Sequence, residues 1–238
     1  MASREVWKRR LGPLYGGAVA LTSSSSLPWR SLAEEDDAPA AGWILAIGAA
    51  FGAVAWGVAA AALALGLPAA ACTALALLVA IALGGAVVER SLIEYITRIA
   101  DAAMATTVTA GAVVLRVELL AAIAPDRWLW AFPATWLIGR WSATFLQAIG
   151  DPIHDAPARS LVAAPPPAWL MGAATAVVMI ATAAALGWTM VIALALAAAV
   201  AFALGLTAQR RRGGIDAAVV GAAALAGELV TLLVLAAT

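Results

Sequence analysis

Seven stretches of the chain, residues 41–67, 69–88, 102–124, 128–149, 168–186, 188–206 and 217–237, are apolar over about the length a helix needs to cross a bilayer. About 20 residues rising 1.5 Å each cover the ~30 Å hydrocarbon core, where every backbone amide has to find its partner within the segment. Such runs predict an all-α fold, a polytopic transmembrane helical bundle of about seven spans. Composition supports the lipid solvent: 64% of the 238 residues are hydrophobic and 12% charged, against about 45–50% and 25% in soluble domains. The stretch Leu11–Leu21 contains Pro13, is too brief to span, and reads as a short interfacial or re-entrant helix. Residues 1–40 therefore form a cytoplasmic or interfacial N-terminal segment and residues 41–238 the transmembrane domain, with no cleavable signal peptide expected. A formal net charge of zero gives no support for nucleic acid as a partner, and the lone Cys72 excludes an intrachain disulfide or a cysteine-based zinc site.

Lys and Arg are retained on the cytoplasmic side of short loops. With the N-terminus inside, eleven of the 14 fall in cytoplasmic segments, Arg127 outside, and Arg116 and Arg140 within spans. The expected location is the inner (plasma) membrane, multi-pass, with the longer polar connections 89–101, 150–167 and 209–216 facing the cytoplasm.

Charges within a span are costly and normally face a bundle interior or a cavity. Arg140 lies too far from either end of its run to snorkel to the surface. It is either a packing residue paired with a carboxylate or a clamp for an anion such as phosphate, because a guanidinium presents a fixed fork of donors. Arg116 and Glu118, two residues apart, point to different faces of one helix, and Glu228 in the last span is a natural partner for one of the arginines. That trio reads equally as ion pairing or as a substrate site. Asp101, Asp151, Asp155 and Asp216 are of the type that ligates Mg²⁺, but loop carboxylates are more often simply solvated. His154 is more simply incidental than catalytic, and the acidic run Glu34 to Asp37 reads as a solvated linker. Arg210-Arg211-Arg212 before Gly213-Gly214 reads first as a topology anchor for anionic lipid and second as a phosphate-binding turn. No Walker-type loop, dinucleotide fingerprint or Ser/His/Asp constellation is present.

Taken in order, Leu21-Thr22 before Leu27-Pro28, a Gly-rich first span, Gly139-Arg140-Trp141, and Arg211-Arg212-Gly213-Gly214-Ile215 ahead of Gly221 resemble the cobalamin synthase family. The resemblance implies an adenosylcobinamide-GDP ribazoletransferase of the inner membrane, with adenosylcobinamide-GDP and α-ribazole as substrates, GMP as leaving group and Mg²⁺ as cofactor. It implies Arg140 on phosphate, Glu228 beside it in catalysis, Asp101 and Glu94 left near the metal, and Arg116, Gly213 and Gly214 on substrate. The sequence departs from the family where acids are expected: the H-x-D-G-x-A-D-x-x-D stretch reads Tyr95 to Met104 with Asp101 alone retained. The G-G-x-T-G-D stretch reads Gly213 to Ala218, and of the two glutamates that follow only Glu228 remains, the other position being Leu225. That loss implies reduced or lost activity. The alternative is a non-catalytic membrane homologue that binds or assembles with other cobalamin-assembly membrane proteins.

Overall fold

A computed structural model describes residues 4–24, 40–153 and 167–238. The Leu27-Pro28 turn, the acidic run Glu34 to Asp37, His154 and Asp155 lie outside the described residues. All the regular elements among them are helices: α1 (Arg4–Leu11), α2 (Tyr15–Ser24), α3 (Ala40–Ala64), α4 (Ala69–Leu83), α5 (Val87–Thr97), α6 (Ala102–Ala122), α7 (Trp128–Ile149), α8 (Ala168–Leu186), α9 (Thr189–Arg212) and α10 (Ala217–Ala236). Five of them, α3, α6, α8, α9 and α10, are long and apolar enough to cross a membrane, and α4 with α5 makes a sixth if that bent pair is one span. The chain is thus a multi-pass membrane protein, close to the seven spans expected.

The seventh expected run, α7, has the length of a span at 22 residues, but Trp, Thr, Ser, Gln and Arg140 lower its apolarity. It tolerates them because it is the central helix, with fifteen of its residues buried. Other helices, rather than lipid, are its solvent. It packs on α3, α10, α8 and α9, and the closest approaches are made through glycines, as expected where helices gain stability from backbone proximity rather than from a hydrophobic drive. A Cβ at Gly52 of α3 would stand 2.6 Å from Pro133 Cα and 2.7 Å from Phe132 O, and one at Gly205 of α9 would stand 2.4 Å from Leu146 Cδ1. The buried hydroxyls of Thr135, Ser142, Thr144, Thr182 and Thr231 donate to carbonyls one turn back, so none is left unpaired. Trp128 Nε1 donates to Leu120 O and Ile123 O at 3.1 and 2.9 Å, fastening the end of α6 to the start of α7.

The α3–α7 contact gives a direct test. Gly52→Ala is expected to lower the apparent melting temperature in detergent, a loss of roughly 1–3 kcal/mol for overpacking against backbone that has no rotamer to yield. Gly57→Ala, on the same helix with nothing within 4 Å of the new carbon, is expected to leave it unchanged or raise it. Equal effects would show that α3 and α7 do not touch as described.

The course of the chain after α4 differs from the sequence reading. The run 69–88 is not a straight span: α4 ends in a Schellman motif, with Ala86 N donating to Ile81 O at 2.9 Å and Gly85 N to Ala82 O at 3.1 Å, and the chain turns by 82° into α5. Residues 89–97, expected as part of a polar connection, instead complete an amphipathic helix whose inner face packs on α10. Ser91 is the contact, lying 2.2 Å from where a Cβ on Gly221 would be. The stretch 11–21 is helical but broken by a 3-10 turn over Gly12–Leu14, and Tyr15, Val19 and Ala20 of α2 pack on Ile44 of α3.

Candidate functional site

Four ionisable side chains meet inside the bundle. Arg116 of α6 donates from one terminal nitrogen to Glu228 Oε2 of α10 at 2.8 Å and from the other to Glu89 Oε1 of α5 at 2.5 Å. Arg140 of α7 stands beside this trio, 7% exposed, with no ion pair or hydrogen bond to any described residue, and its Nε is one of the buried polar atoms left without a partner. Two arginines and two glutamates sum to zero charge, which is what permits the group to be buried at all.

The local sequence explains how the four converge. Gly139 precedes Arg140 because Glu228 needs its space: a Cβ there would sit 2.5 Å from Glu228 Cγ and 3.0 Å from Ala224 O. Gly48 of α3 does the same for Arg140, whose Cγ lies 2.6 Å from where a Cβ would be. The aliphatic stem of Arg140 is thereby pressed between α3 and α7, and its head faces a small cavity lined by Gly84, Val88, Glu89, Arg116, Trp136 and Glu228 among others. The volume is about 20 Å³, room for about one water-sized group and no more.

A second polar cluster ties together the ends of α5, α9 and α10. Asp216 accepts from Val219 N as the N-cap of α10 at 3.2 Å, from Arg212 of α9 at 2.5 Å, and from Arg98, the C-cap of α5, which also pairs with Glu94. Burial pushes the Asp216 carboxyl up, but the hydrogen bonds from Arg212, Val219 and Arg98 together outweigh it and hold it below the usual carboxylate range. This tie therefore adds stability above the ordinary aspartate range and loses it only as pH falls through the lowered value. Gly213 closes α9 in the left-handed conformation, φ 76°, and Gly214 admits the segment after α7, since a Cβ there would meet Asp151 O at 2.8 Å. Ile215 N then donates to Asp151 O at 2.8 Å and Ile153 N to Ile215 O at 3.1 Å.

Of the residues singled out in the sequence, Arg116, Arg140 and Glu228 come together. Asp101, Glu94, Gly213 and Gly214 do not line their cavity. Asp101 caps α6, accepting from Met104 N at 2.7 Å, and Glu94 is held by Arg98. Glu118 points to the outer face of α6, away from Arg116, as its spacing required. Among the described residues no three of His, Cys, Asp and Glu are grouped to hold a metal ion. Each carboxylate of the two clusters is engaged by an arginine, so these residues as they stand do not fit the oxygen cage that Mg²⁺ prefers. Sequence reasoning missed Glu89 as a member of the buried group. Its signal is an acid at the end of an apolar run, on the inner face of a helix that alternates Val88, Leu92 and Tyr95 against Arg90, Glu94 and Arg98.

The pattern of the cobalamin-5-phosphate synthase family matches residues 102–236, from the start of α6 to the end of α10. No curated protein and no solved structure matches the chain. The match covers more than half of the sequence and includes Arg116, Arg140 and Glu228, three of the four members of the buried cluster. The chain belongs to the cobalamin-5-phosphate synthase family.

Proposed function

We propose that the chain keeps the phosphate-binding framework of its family and performs the family's transfer weakly or not at all. Membership gives it a role in cobalamin biosynthesis. The finer reading is a divergent adenosylcobinamide-GDP ribazoletransferase, in which the α-ribazole hydroxyl attacks the phosphorus that carries cobinamide and GMP departs. In that reaction Arg140 would bind phosphate oxygens with its planar fork of donors. Arg116, fixed by Glu228 and Glu89, would add a second positive centre, and the shell of helices would exclude bulk water.

One observation carries this reading: Arg140 is buried and uncommitted, while each carboxylate near it is committed to Arg116. Such a site favours holding an anion over activating a nucleophile. The test is complementation of a strain lacking cobalamin synthase, with accumulation of the protein checked by immunoblot. No growth on the cobalamin precursor is expected. Vigorous growth would overturn the reading of weak or absent transfer.

Glu118 favours a second reading, a non-catalytic partner in the membrane. It lies exposed on the outer face of α6, inside a span, with no ion pair among the described residues. A charge there is costly unless another protein or a lipid head group meets it.

For the membrane itself, the Lys/Arg asymmetry supports a cytoplasmic N-terminus, an inner-membrane location and, with seven spans, a C-terminus on the far side. Alkaline phosphatase fused after Thr238 is expected to be active and a fluorescent cytoplasmic reporter at the same place dark. The reverse pattern would mean an even number of crossings or an inverted protein.

A further inference from the structure

We propose that α5 is a hinged arm that closes a phosphate-binding site, with the Glu89 carboxylate occupying Arg116 in place of the ligand. The inference rests on the reading of Arg140 as an anion-binding residue and adds how the site is opened.

Three observations converge on it. The first is charge. With Glu89 in place the cluster is neutral; with Glu89 withdrawn, Arg116 and Arg140 face Glu228 alone and the site carries one net positive charge. A phosphate group could then accept from both guanidinium groups, and Arg140 would gain the partner it lacks in the closed form. The second is size. The closed cavity of about 20 Å³ admits about one water, so a phosphate enters only if something moves. Glu89 is the member of the trio nearest the outside, with its side chain 12% exposed against 2% for both Arg116 and Glu228.

The third is the joint. After Gly84 and Gly85, Ala86 adopts φ 53°, the one positive φ outside glycine among the described residues, directly before the helix that carries Glu89. An L-residue in that conformation is strained, because its Cβ crowds the following carbonyl oxygen. Strain of this kind persists where surrounding contacts enforce it, and it is a recurrent feature of switch segments. Relaxation of Ala86 swings α5, and Glu89 with it, about the 82° bend. The ligand is a phosphate group, from a soluble phosphate ester or from a lipid head group.

The experiment uses the full chain purified in a maltoside detergent, with inorganic phosphate titrated by calorimetry in one arm and short-chain phosphatidylglycerol in the other. Glu89→Gln removes the competing carboxylate, and Ala86→Val disfavours the left-handed conformation without changing charge. Either is expected to tighten binding about tenfold or more, because the apparent affinity is reduced by the fraction of molecules that are closed. Asp126→Asn, which also removes one negative charge but in the exposed turn between α6 and α7, is expected to leave binding unchanged. Arg140→Gln is expected to abolish it. Folding of each variant is read from its melting curve, and Ala86→Val keeps the test open if Glu89→Gln fails to fold. Tightening in only one arm identifies the source of the phosphate group. Binding that needs Arg140 yet ignores both Glu89→Gln and Ala86→Val overturns the arm and leaves the anion site standing. Absence of binding in every variant overturns both.

Discussion

Arg116→Met is expected to destabilise the bundle by about 3–5 kcal/mol, the cost of leaving buried charges uncompensated. The substitution keeps most of the side-chain volume but strands two carboxylates, Glu89 and Glu228, that now share a cavity lined by few other donors. Arg140 cannot rescue both. It stands beyond ion-pair distance of either in the folded protein, and the packing of its stem against Gly48 limits how far it can swing. The contrast that isolates the cause is the neutral triple variant Glu89→Gln, Arg116→Met, Glu228→Gln. Replacing a whole buried ionic group by neutral groups of similar volume is often tolerated, so this variant is expected to recover most of the stability lost by Arg116→Met. Both are read from apparent melting temperature and monodispersity in the same detergent. A triple variant no better than the single one would mean that Arg116 matters through its packing on α5 and α10, and that the ion pairs are incidental.

How much of this was legible in the sequence depends on which physical rule had the choice. Helix positions followed from the length of apolar runs, because lipid leaves the backbone few alternatives. That Glu228 would pair with one of the two arginines followed from the cost of a solitary charge in a span. Which arginine would take the carboxylates was not legible. Arg116 and Arg140 are alike as residues, and the decision was made by tertiary packing, by Gly139 giving Glu228 its place and Gly48 holding the stem of Arg140. Residues 69–88 misled for a related reason. Apolarity continues through Gly84-Gly85-Ala86-Val87-Val88 without a break in composition, while the turn is set by backbone dihedrals at Gly85 and Ala86. The two-glycine step was the available sign of a helix end, and the amphipathic period of residues 87–97 was the sign of a second helix.

Purified protein supplied with adenosylcobinamide-GDP, α-ribazole and Mg²⁺ is expected to turn over at or near background. The positions where the resembled family places acids are Thr97, Met104, Ala218 and Leu225, and Tyr95 stands where it places a histidine. Their placement makes simple substitution by neighbours difficult. Ala218 and Leu225 are buried in α10 at 1% and 2% exposure, Leu225 inside an apolar cluster with Val88, Val219 and Ala223. Met104 faces outward from α6. The acids that do remain already have work: Asp101 caps a helix, Glu94 holds Arg98, and Glu89 and Glu228 hold Arg116. Withdrawing any of them for catalysis would break the contact it now makes. Loss of one well-placed electrostatic group costs roughly 10²–10³ in rate, so the loss of several should remove most of the advantage over solution even if both substrates bind. Turnover within tenfold of a family member that carries the full acid set would sink this prediction. Asp101→Ala and Glu228→Ala would then be the first variants to measure, since an enzyme so depleted would have to depend on the carboxylates it retains.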